Sequence, residues 1–320
     1  ALHVRQGGTA DLGSGTHTIG SIAVDNNAAC KFTNTSDTTT LNGNSADNSR
    51  IINIGGSSTC TAAGTMDVTY ASGGNLQISN QAGVNNLTLT GNATYRLWGN
   101  SLTTNTITIT ASTTLATQTS SSSGTYRDLT IGGHLFGNGT FKCEGDSTVT
   151  IAGQCTVANV ELTAGSITSN DDYRPSGGSG TTVDGNGSVT ATGASQLGGT
   201  WDIGASNTPT LTAGRLHSTL TINTGKQGQS TVMLALNEPQ TTGPARHVFF
   251  YNLTLDSEGT ENNKYTMQGA ITCTGDLTIT DGEIDTGSDH ALTVDKTCKI
   301  NGGTLTCNAS AVSFGQQILS

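Results

Sequence analysis

The sequence predicts an all-β chain folded as a right-handed parallel β-helix (β-solenoid) of short Thr-rich strands with protruding Gly/Ser-rich loops. Three observations indicate this class. Charged residues make up only 11% of the 320 residues, too few for long charged helices. Apolar residues recur at every second position in short runs, as they do in half-buried strands. The chain has 43 glycines and only 4 prolines, and its glycines cluster at the ends of these runs, where turns are expected.

The recurring element is a short alternating segment that ends at Gly, Asn or Asp. Residues 86–91 (NLTLTG), 148–153 (TVTIAG) and 276–282 (DLTITDG) are typical. Such a segment places its aliphatic residues on one face of a strand and Thr on the other, where β-branched side chains are well tolerated. Each predicted strand is therefore half-buried.

The spacing of these segments predicts stacked coils. Leu253, Leu277 and Ile300 are the centres of strands 24 and 23 residues apart, with further short strands between them. Two or three strands repeated at roughly 20 to 30 residues are typical of a solenoid. The alternative is a series of tandem β-sandwich domains, which usually bury a Trp and have turns at roughly 8 to 12 residues. The chain has only two Trp and closer turns, so the solenoid is favoured.

A Gly/Ser-rich stretch in the middle of the chain predicts a division into regions. Residues 169–188 contain the charged run DDYRP followed by SGGSG, a composition typical of a surface loop or linker. We therefore expect an N-terminal solenoid region at 1–168, the loop or linker at 169–188, and a C-terminal solenoid region at 189–320.

Charge and hydropathy exclude two classes of partner. The formal net charge is −10 and no cluster of basic residues occurs, which argues against nucleic acid. No run of 18 apolar residues is present, so the sequence offers no transmembrane helix and we expect no membrane partner.

The seven cysteines are an odd number, so at least one thiol is free or pairs between chains. No CxxC or CxxH spacing occurs, and we expect neither a metal site nor a cofactor. In a β stack most of these cysteines are expected to be small buried hydrophobes. Cys143 with Cys155, and Cys298 with Cys307, are candidate disulfide pairs if adjacent coils bring them together.

The search for catalytic residues yields only carboxylates. The sequence has no GxSxG, phosphate-binding loop or HExxH motif. Paired acids on one exposed face would indicate polysaccharide cleavage. Glu144 and Asp146 have the spacing of a shared strand face, but Gly145 between them indicates a turn. The acidic stretch 276–289 matches no calcium-binding motif. We therefore predict no catalytic residue and a non-enzymatic protein.

The candidate binding residues are Asp171, Asp172, Tyr173 and Arg174. Two carboxylates, a phenol and a guanidinium in a protruding loop offer hydrogen bonds, ion pairs and ring contacts to a surface ligand. Asp171 and Asp172 are sequence neighbours and would point to opposite faces of a strand, so only an irregular loop would bring them together.

The densest aromatic run is HVFFY at residues 247–251. Aromatic side chains bind sugars at many protein surfaces, and they also stack inside β-helices. Because Phe249 and Tyr251 are two residues apart, we expect them on the same face of a strand. The spacing favours an aromatic stack in the core over a binding site.

Rows of alternating threonines, such as Thr106, Thr108 and Thr110, are similar to those of Thr-rich solenoids that bind ice. An ice-binding face needs the same rows in coil after coil. The insertion before Val189 and the changing coil length predict that the rows do not stay in register, which argues against ice binding.

The segments 252–255 (NLTL), 275–280 (GDLTIT), 291–294 (ALTV) and 303–306 (GTLT) resemble repetitive β-solenoid surface proteins of phage fibres and appendages. They are also similar to bacterial adhesins of the filamentous haemagglutinin type. The resemblance implies a structural or attachment protein of the virion surface: a fibre, spike or capsid appendage. Its partners would be a host-surface glycan or another virion protein, and it would be a homo-oligomer such as a trimer.

Two alternatives to the virion protein remain open. The first is a secreted adhesin, found outside the cell or on the bacterial surface. Residues 1–8 have no basic n-region followed by an apolar segment, which favours the virion protein over the adhesin. The second is a polysaccharide depolymerase built on the same scaffold.

Overall fold

The computed structural model describes residues 1–25, 27–34, 38–42, 52–54, 59–62, 65–69, 74–77, 85–97, 102–119, 124–175, 180–203, 207–218, 220–227, 230–236, 247–257 and 264–315. All regular structure in these ranges is β-strand, and no helix occurs in them. Parallel sheets stack as a β-solenoid of about 11 turns over the described residues, which confirms the predicted fold class. The right-handed sense of the coil stays a prediction.

The chain forms two compact units, Ala1–Glu161 and Leu162–Ser320. The strands of the first unit are β1 Leu2–Val4, β2 Thr9–Asp11, β3 Thr16–Ile19, β4 Ile22–Val24, β5 Lys31–Asn34, β6 Thr38–Leu41, β7 Ile52–Ile54, β8 Thr59–Ala62, β9 Thr65–Thr69, β10 Gly74–Gln77, β11 Asn86–Thr90, β12 Thr94–Leu97, β13 Leu102–Thr104, β14 Thr106–Ile109, β15 Thr114–Ala116, β16 Leu129–Ile131, β17 Leu135–Cys143, β18 Thr148–Ile151 and β19 Cys155–Leu162, whose last residue belongs to the second unit.

Strands of successive coils lie side by side in the first unit. Two of the stacks are β1-β4-β7-β10-β12-β15 and β3-β6-β9-β11-β14, and β17 pairs with the last strand of each. Strands β2, β5 and β8 form a third stack, and β13, β16 and β18 a fourth. Paired residues of neighbouring coils are 20 residues apart at Leu2 and Ile22 and 30 apart at Ile22 and Ile52. The predicted period is therefore confirmed, with coils of unequal length.

The nine-residue strand β17 turns a corner of the solenoid without a break. Its first residues pair with β14 and its last residues with β15. Between them Gly137 has a φ of +116° and its Cα faces the carbonyl oxygen of Ile109, where a Cβ atom would lie only 2.2 Å away. Only glycine fits this bend, because both the backbone angle and the close approach exclude a side chain.

The second unit contains the remaining strands. They are β20 Ser166–Ser169, β21 Thr181–Val183, β22 Ser188–Leu197, β23 Thr200–Ile203, β24 Thr210–Leu216, β25 Thr221–Gln227, β26 Thr231–Leu236, β27 Val248–Phe250, β28 Asn252–Ser257, β29 Lys264–Thr266, β30 Ile271–Cys273, β31 Leu277–Ile279, β32 Glu283–Asp285, β33 Leu292–Val294, β34 Cys298–Ile300, β35 Thr304–Thr306 and β36 Val312–Phe314.

These strands also form stacks that run from coil to coil. One stack is β20-β22-β24-β26-β28-β31-β34, and a second is β21-β23-β25. Towards the C-terminus β27-β30-β33-β36 and β29-β32-β35 complete the coil. Strands pair in parallel in both units. Tandem β-sandwich domains are excluded, because their sheets are antiparallel.

The core of each unit consists of the inward positions of these strands. In β24, for example, Leu211 and Ala213 are fully buried, while Thr210 and Thr212 between them point outward. This is the alternation that the sequence predicts, and it repeats in β11, β14, β26 and β31.

The outward residues of the second unit form two rows that stay in register over five coils. The first row is Ser166, Ser188, Thr210, Thr231 and Asn252, and the second is Thr168, Thr190, Thr212, Met233 and Thr254. The expectation that such rows lose register was wrong. Coil length changes outside these two rows, for example at an irregularity between Ala191 and Gln196.

The predicted division at 169–188 stays a prediction. Of this stretch the structure describes residues 169–175 and 180–188, and strand β21 lies within it. The run 176–179 lies outside the described residues. The sequence also predicts surface protrusions at 119–125 and 237–246, of which residues 120–123 and all of 237–246 lie outside the described residues. Gln118 and Tyr126, at the base of the predicted protrusion at 119–125, form an isolated antiparallel bridge.

Six cysteines have side chains that the structure describes, and all six are thiols: Cys30, Cys143, Cys155, Cys273, Cys298 and Cys307. The candidate disulfides were therefore wrong. The first five are buried, as expected for small apolar residues. Burial raises the pKa of the Cys143 and Cys155 thiols to about 12, so both stay protonated and unreactive at neutral pH.

Candidate functional site

The predicted binding segment lies directly after β20 and is attached to the next coil. The Tyr173 N–H donates to the Gln196 carbonyl at 2.9 Å, and the Gly198 N–H donates to the Tyr173 carbonyl at 2.9 Å. Tyr173 and Leu197 thereby form an isolated parallel bridge. Tyr173 therefore pairs with the next coil as a residue of a β-strand does, at a corner of the second unit.

Tyr173 lies in the core and not at the surface. Its side chain is fully buried, and its ring centroid is 5.6 Å from that of Trp201, also fully buried. The Tyr173 hydroxyl lies 3.1 Å from the Thr181 Oγ1, which satisfies the phenol inside the coil. The predicted contact of Tyr173 with a surface ligand was therefore wrong. The ring packs inside the coil because Trp201 of the next coil covers it.

The other predicted residues lie at the surface of the same corner. The Asp172 carboxylate accepts a hydrogen bond from the Gln196 N–H at 2.9 Å and forms an ion pair with Arg174 at 3.2 Å. Asp171 accepts from the Asp172 N–H at 2.8 Å. The side chains of Asp172 and Arg174 remain 16% and 32% exposed, so the corner presents a partly covered ion pair.

His217 completes this cluster, and no sequence pattern indicated its role. Its Nε2 lies 3.2 Å from the Arg174 Nη1, although the two residues are 43 positions apart. Burial lowers the pKa of His217, and the positive charge of Arg174 lowers it further, against an opposing effect of Asp172. A neutral imidazole can accept the Arg174 hydrogen bond. We call Asp172, Arg174 and His217 the corner cluster.

The acidic pair of the first unit, Glu144 and Asp146, lies at a turn. Gly145 and Asp146 form a turn between β17 and β18, as the glycine predicted, so Glu144 and Asp146 do not share a strand face. The Ser147 hydroxyl donates to the Glu144 carbonyl at 2.8 Å, and the ring of Tyr126 covers Gly145. These contacts fix the turn.

Three of the five acids between 276 and 289 form ion pairs with lysines of other coils. Asp276 accepts from Lys299 at 3.0 Å, and Lys264 forms ion pairs with both Glu283 and Asp285. The Lys264 hydrogen bond is the main cause of a lowered pKa at Asp285. These carboxylates stabilise the stacking of coils through charge pairs. No group of three potential metal ligands occurs among the described residues.

An open depression of about 550 Å³ lies beside Asp285. Ser288, Asp289 and Asn308 contribute polar groups to its wall, and no aromatic ring lines it. The depression offers hydrogen bonds to a ligand but no surface for ring stacking.

The aromatic run at 247–251 is placed differently from the prediction. Val248 and Phe250 are buried, whereas Phe249 and Tyr251 are only partly covered and point outward. The predicted stack of Phe249 and Tyr251 in the core was therefore wrong, because the inward positions of β27 fall on the alternate residues. His247, which is exposed, stacks on Phe249.

Comparison with known proteins adds no relative. No protein family, curated protein or solved structure matches the chain. The structure also contains no helix, in the residues it describes, that is long and apolar enough to span a membrane.

Proposed function

We propose that the chain is a structural and attachment protein, a β-solenoid segment of a phage fibre, spike or capsid appendage that contacts a host-surface glycan or another virion protein. The observation that carries this proposal is the coil-to-coil register, which builds a repetitive scaffold from small side chains. Such a scaffold satisfies its backbone hydrogen bonds between coils and leaves outward side chains available for contacts.

The use of the carboxylates supports a non-enzymatic role. Glycoside hydrolysis requires two acids that flank the substrate, one of which keeps a proton at neutral pH. In this chain Asp172, Asp276 and Asp285 each accept hydrogen bonds from the chain's own amides or cations. Acids held in this way stabilise the stacking of coils.

The deciding experiment measures binding and cleavage in one preparation. Purified protein is incubated with capsular polysaccharides and whole cells from a panel of bacteria, and both retained protein and polymer length are recorded. We expect binding without shortening of the polymer. Shortening that is lost in Glu144→Ala, Asp171→Ala or Asp172→Ala would instead identify a depolymerase, and absence of binding to every cell type would overturn attachment to a host-surface glycan.

A second function, binding to ice, is favoured by the two outward rows of the second unit. Eight of their ten side chains are Ser or Thr and none is charged. Neighbouring hydroxyls are spaced about 6.6 Å along a strand and about 4.8 Å between strands, a regular repeat suited to ordered water. Inhibition of ice recrystallisation that Thr190→Lys abolishes would support this function, and wild-type protein without effect would exclude it.

A further inference from the structure

We propose that the outward side chains of His247, Phe249 and Tyr251 form a platform that binds a neutral glycan. This inference rests on the proposed attachment function and names the ligand class and the residues that would carry it. We call these three residues the aromatic platform.

The first part of the platform is a pair of stacked rings held in place. The ring centroids of His247 and Phe249 are 4.2 Å apart, with an angle of 22° between the ring planes. The Nε2 atom of His247 lies 2.8 Å from the Oγ1 of Thr272 on the next coil. The exposed imidazole of His247 is therefore held in place by the Phe249 ring, on which it stacks, and by the Thr272 hydroxyl at its edge. Because the ring is already ordered, a ligand does not have to immobilise it on binding.

The second part is the phenol of Tyr251 with its lysine. The Lys296 ammonium donates to the Tyr251 hydroxyl at 2.8 Å and lies 4.8 Å from the ring centroid. The Gly275 N–H donates to the Tyr251 carbonyl, and the Lys296 N–H donates to the Gly275 carbonyl, so Lys296 lies two coils after Tyr251. The Tyr251 ring is thereby fixed as well, and a hydroxyl and an ammonium stand at the border of the platform.

This combination fits a sugar. A pyranose ring has a face of C–H groups that packs against an aromatic ring, and an edge of hydroxyls that needs donors and acceptors. The platform supplies ring surface from His247 and Phe249, with Thr272, Tyr251 and Lys296 as polar groups beside it. Ligand sites of this kind combine aromatic side chains with a few placed polar groups.

The charges around the platform favour a neutral polymer over an acidic one. Lys299 is paired with Asp276 at 3.0 Å, and Asp295 is the sequence neighbour of Lys296. Positive and negative groups therefore balance locally. The whole chain carries a formal charge of −10, which repels a polyanion at low ionic strength.

The test measures retardation of the full chain in gels that contain a soluble glucan, mannan or galactan, with alginate as the acidic counterpart. Phe249→Leu removes the aromatic face, and His247→Gln removes the exposed ring while keeping an amide near Thr272. The matched control is Phe136→Leu, because Phe136 is the large hydrophobic residue that is 38% exposed in the first unit. Circular dichroism and thermal unfolding of each variant verify the fold.

We expect at least one neutral polymer to retard the wild type and Phe136→Leu equally. Phe249→Leu should weaken binding about tenfold, as expected for a central aromatic contact. Should Phe249→Leu not fold, His247→Gln decides, since His247 lies on the surface. The inference is overturned if no neutral polymer retards the wild type, if alginate retards it more strongly, or if folded variants bind like the wild type.

The same variants separate this inference from the proposed function. If the wild type and Phe249→Leu bind bacterial cells equally, the attachment role stands and the platform is not its site. If the wild type binds no cells but is retarded by a neutral polymer, the platform stands and attachment to host cells is overturned.

Discussion

At the scale of single residues, Gly137 offers a measure of how closely two coils approach each other. Gly137 and Gly15 have nearly the same φ, +116° and +111°, but a Cβ atom would meet the Ile109 carbonyl only at Gly137. We expect Gly15→Ala to cost about 1 to 2 kcal/mol from backbone strain alone. Gly137→Ala should cost about 3 kcal/mol or more, because the clash is added. Urea unfolding of both variants measures the difference, and equal costs would contradict this account of the corner.

The ion pair between Lys264 and Asp285 predicts a dependence of stability on pH. The Lys264 hydrogen bond and the Gly287 N–H lower the pKa of Asp285 below its unfolded value of about 3.9. The resulting stabilisation is present above that unfolded value and is lost as the pH falls through the folded pKa. We expect the free energy of unfolding to fall on acidification below about pH 4.

Two variants isolate this contribution. Asp285→Asn removes the titrating group and Lys264→Met removes its partner, so both should show a shallower fall than the wild type. Urea unfolding between neutral pH and about pH 3 provides the comparison. Parallel curves for the wild type and Asp285→Asn would assign the acid sensitivity to other carboxylates.

At the scale of the strand, the alternation of buried and outward residues predicts that neighbouring substitutions destabilise the fold to very different extents. Leu211 in β24 is fully buried, and Thr212 beside it points outward. We expect Leu211→Ala to cost about 2 to 5 kcal/mol, as cavities in cores do. Thr212→Ala should cost less than about 1 kcal/mol. Denaturant unfolding compares them, and similar losses would mean that the outward Thr row contributes to stability as the core does.

The strands were predictable from sequence because alternation reports directly on burial. Leu253 and Leu277 pair as their spacing indicated, but the partner of Leu277 in the next coil is Cys298, and Ile300 pairs with Ile279. The inward face was therefore identified correctly and the register was off by two residues. An inward position accepts Cys as well as Ile. The positions of aliphatic residues alone therefore do not determine which residues of two neighbouring strands are paired.

The corner cluster and the aromatic platform were less accessible to prediction. Arg174 and His217 meet across 43 residues, and such a contact depends on the lengths of the corners between them. Tyr173 and Phe249 were both assigned to the wrong side of the coil. In a segment of one to three residues, alternation supplies too few positions to decide which side chain points inward.

At the scale of the whole molecule, the absence of disulfides among the six described cysteines predicts that thermal stability does not depend on the redox state of the solvent. The six described cysteines form no disulfide, and burial raises the pKa of Cys143 and Cys155 to about 12. We expect dithiothreitol to leave the melting temperature unchanged. A fall in melting temperature on reduction would show that a disulfide stabilises the fold.

Alkylation of the native protein tests the same thiols one by one. Iodoacetamide should modify Cys307, which is partly exposed, well before the five buried cysteines, and peptide mass spectrometry locates the label. Denatured protein is the control, in which every thiol should react. Early labelling of Cys155 in native protein would mean that the coils open readily.

The outward rows of the second unit also bear on how such a chain changes in evolution. Partner residues from Ser188 to Thr210, Thr231 and Asn252 are 22, 21 and 21 positions apart, yet the rows remain aligned. A residue gained at a corner leaves the strands in place, whereas one gained within a strand turns its inward side chains outward. Lineages of this protein should therefore differ in the lengths of their corners and in the number of whole coils, acquired by duplication, while the strands themselves keep their length.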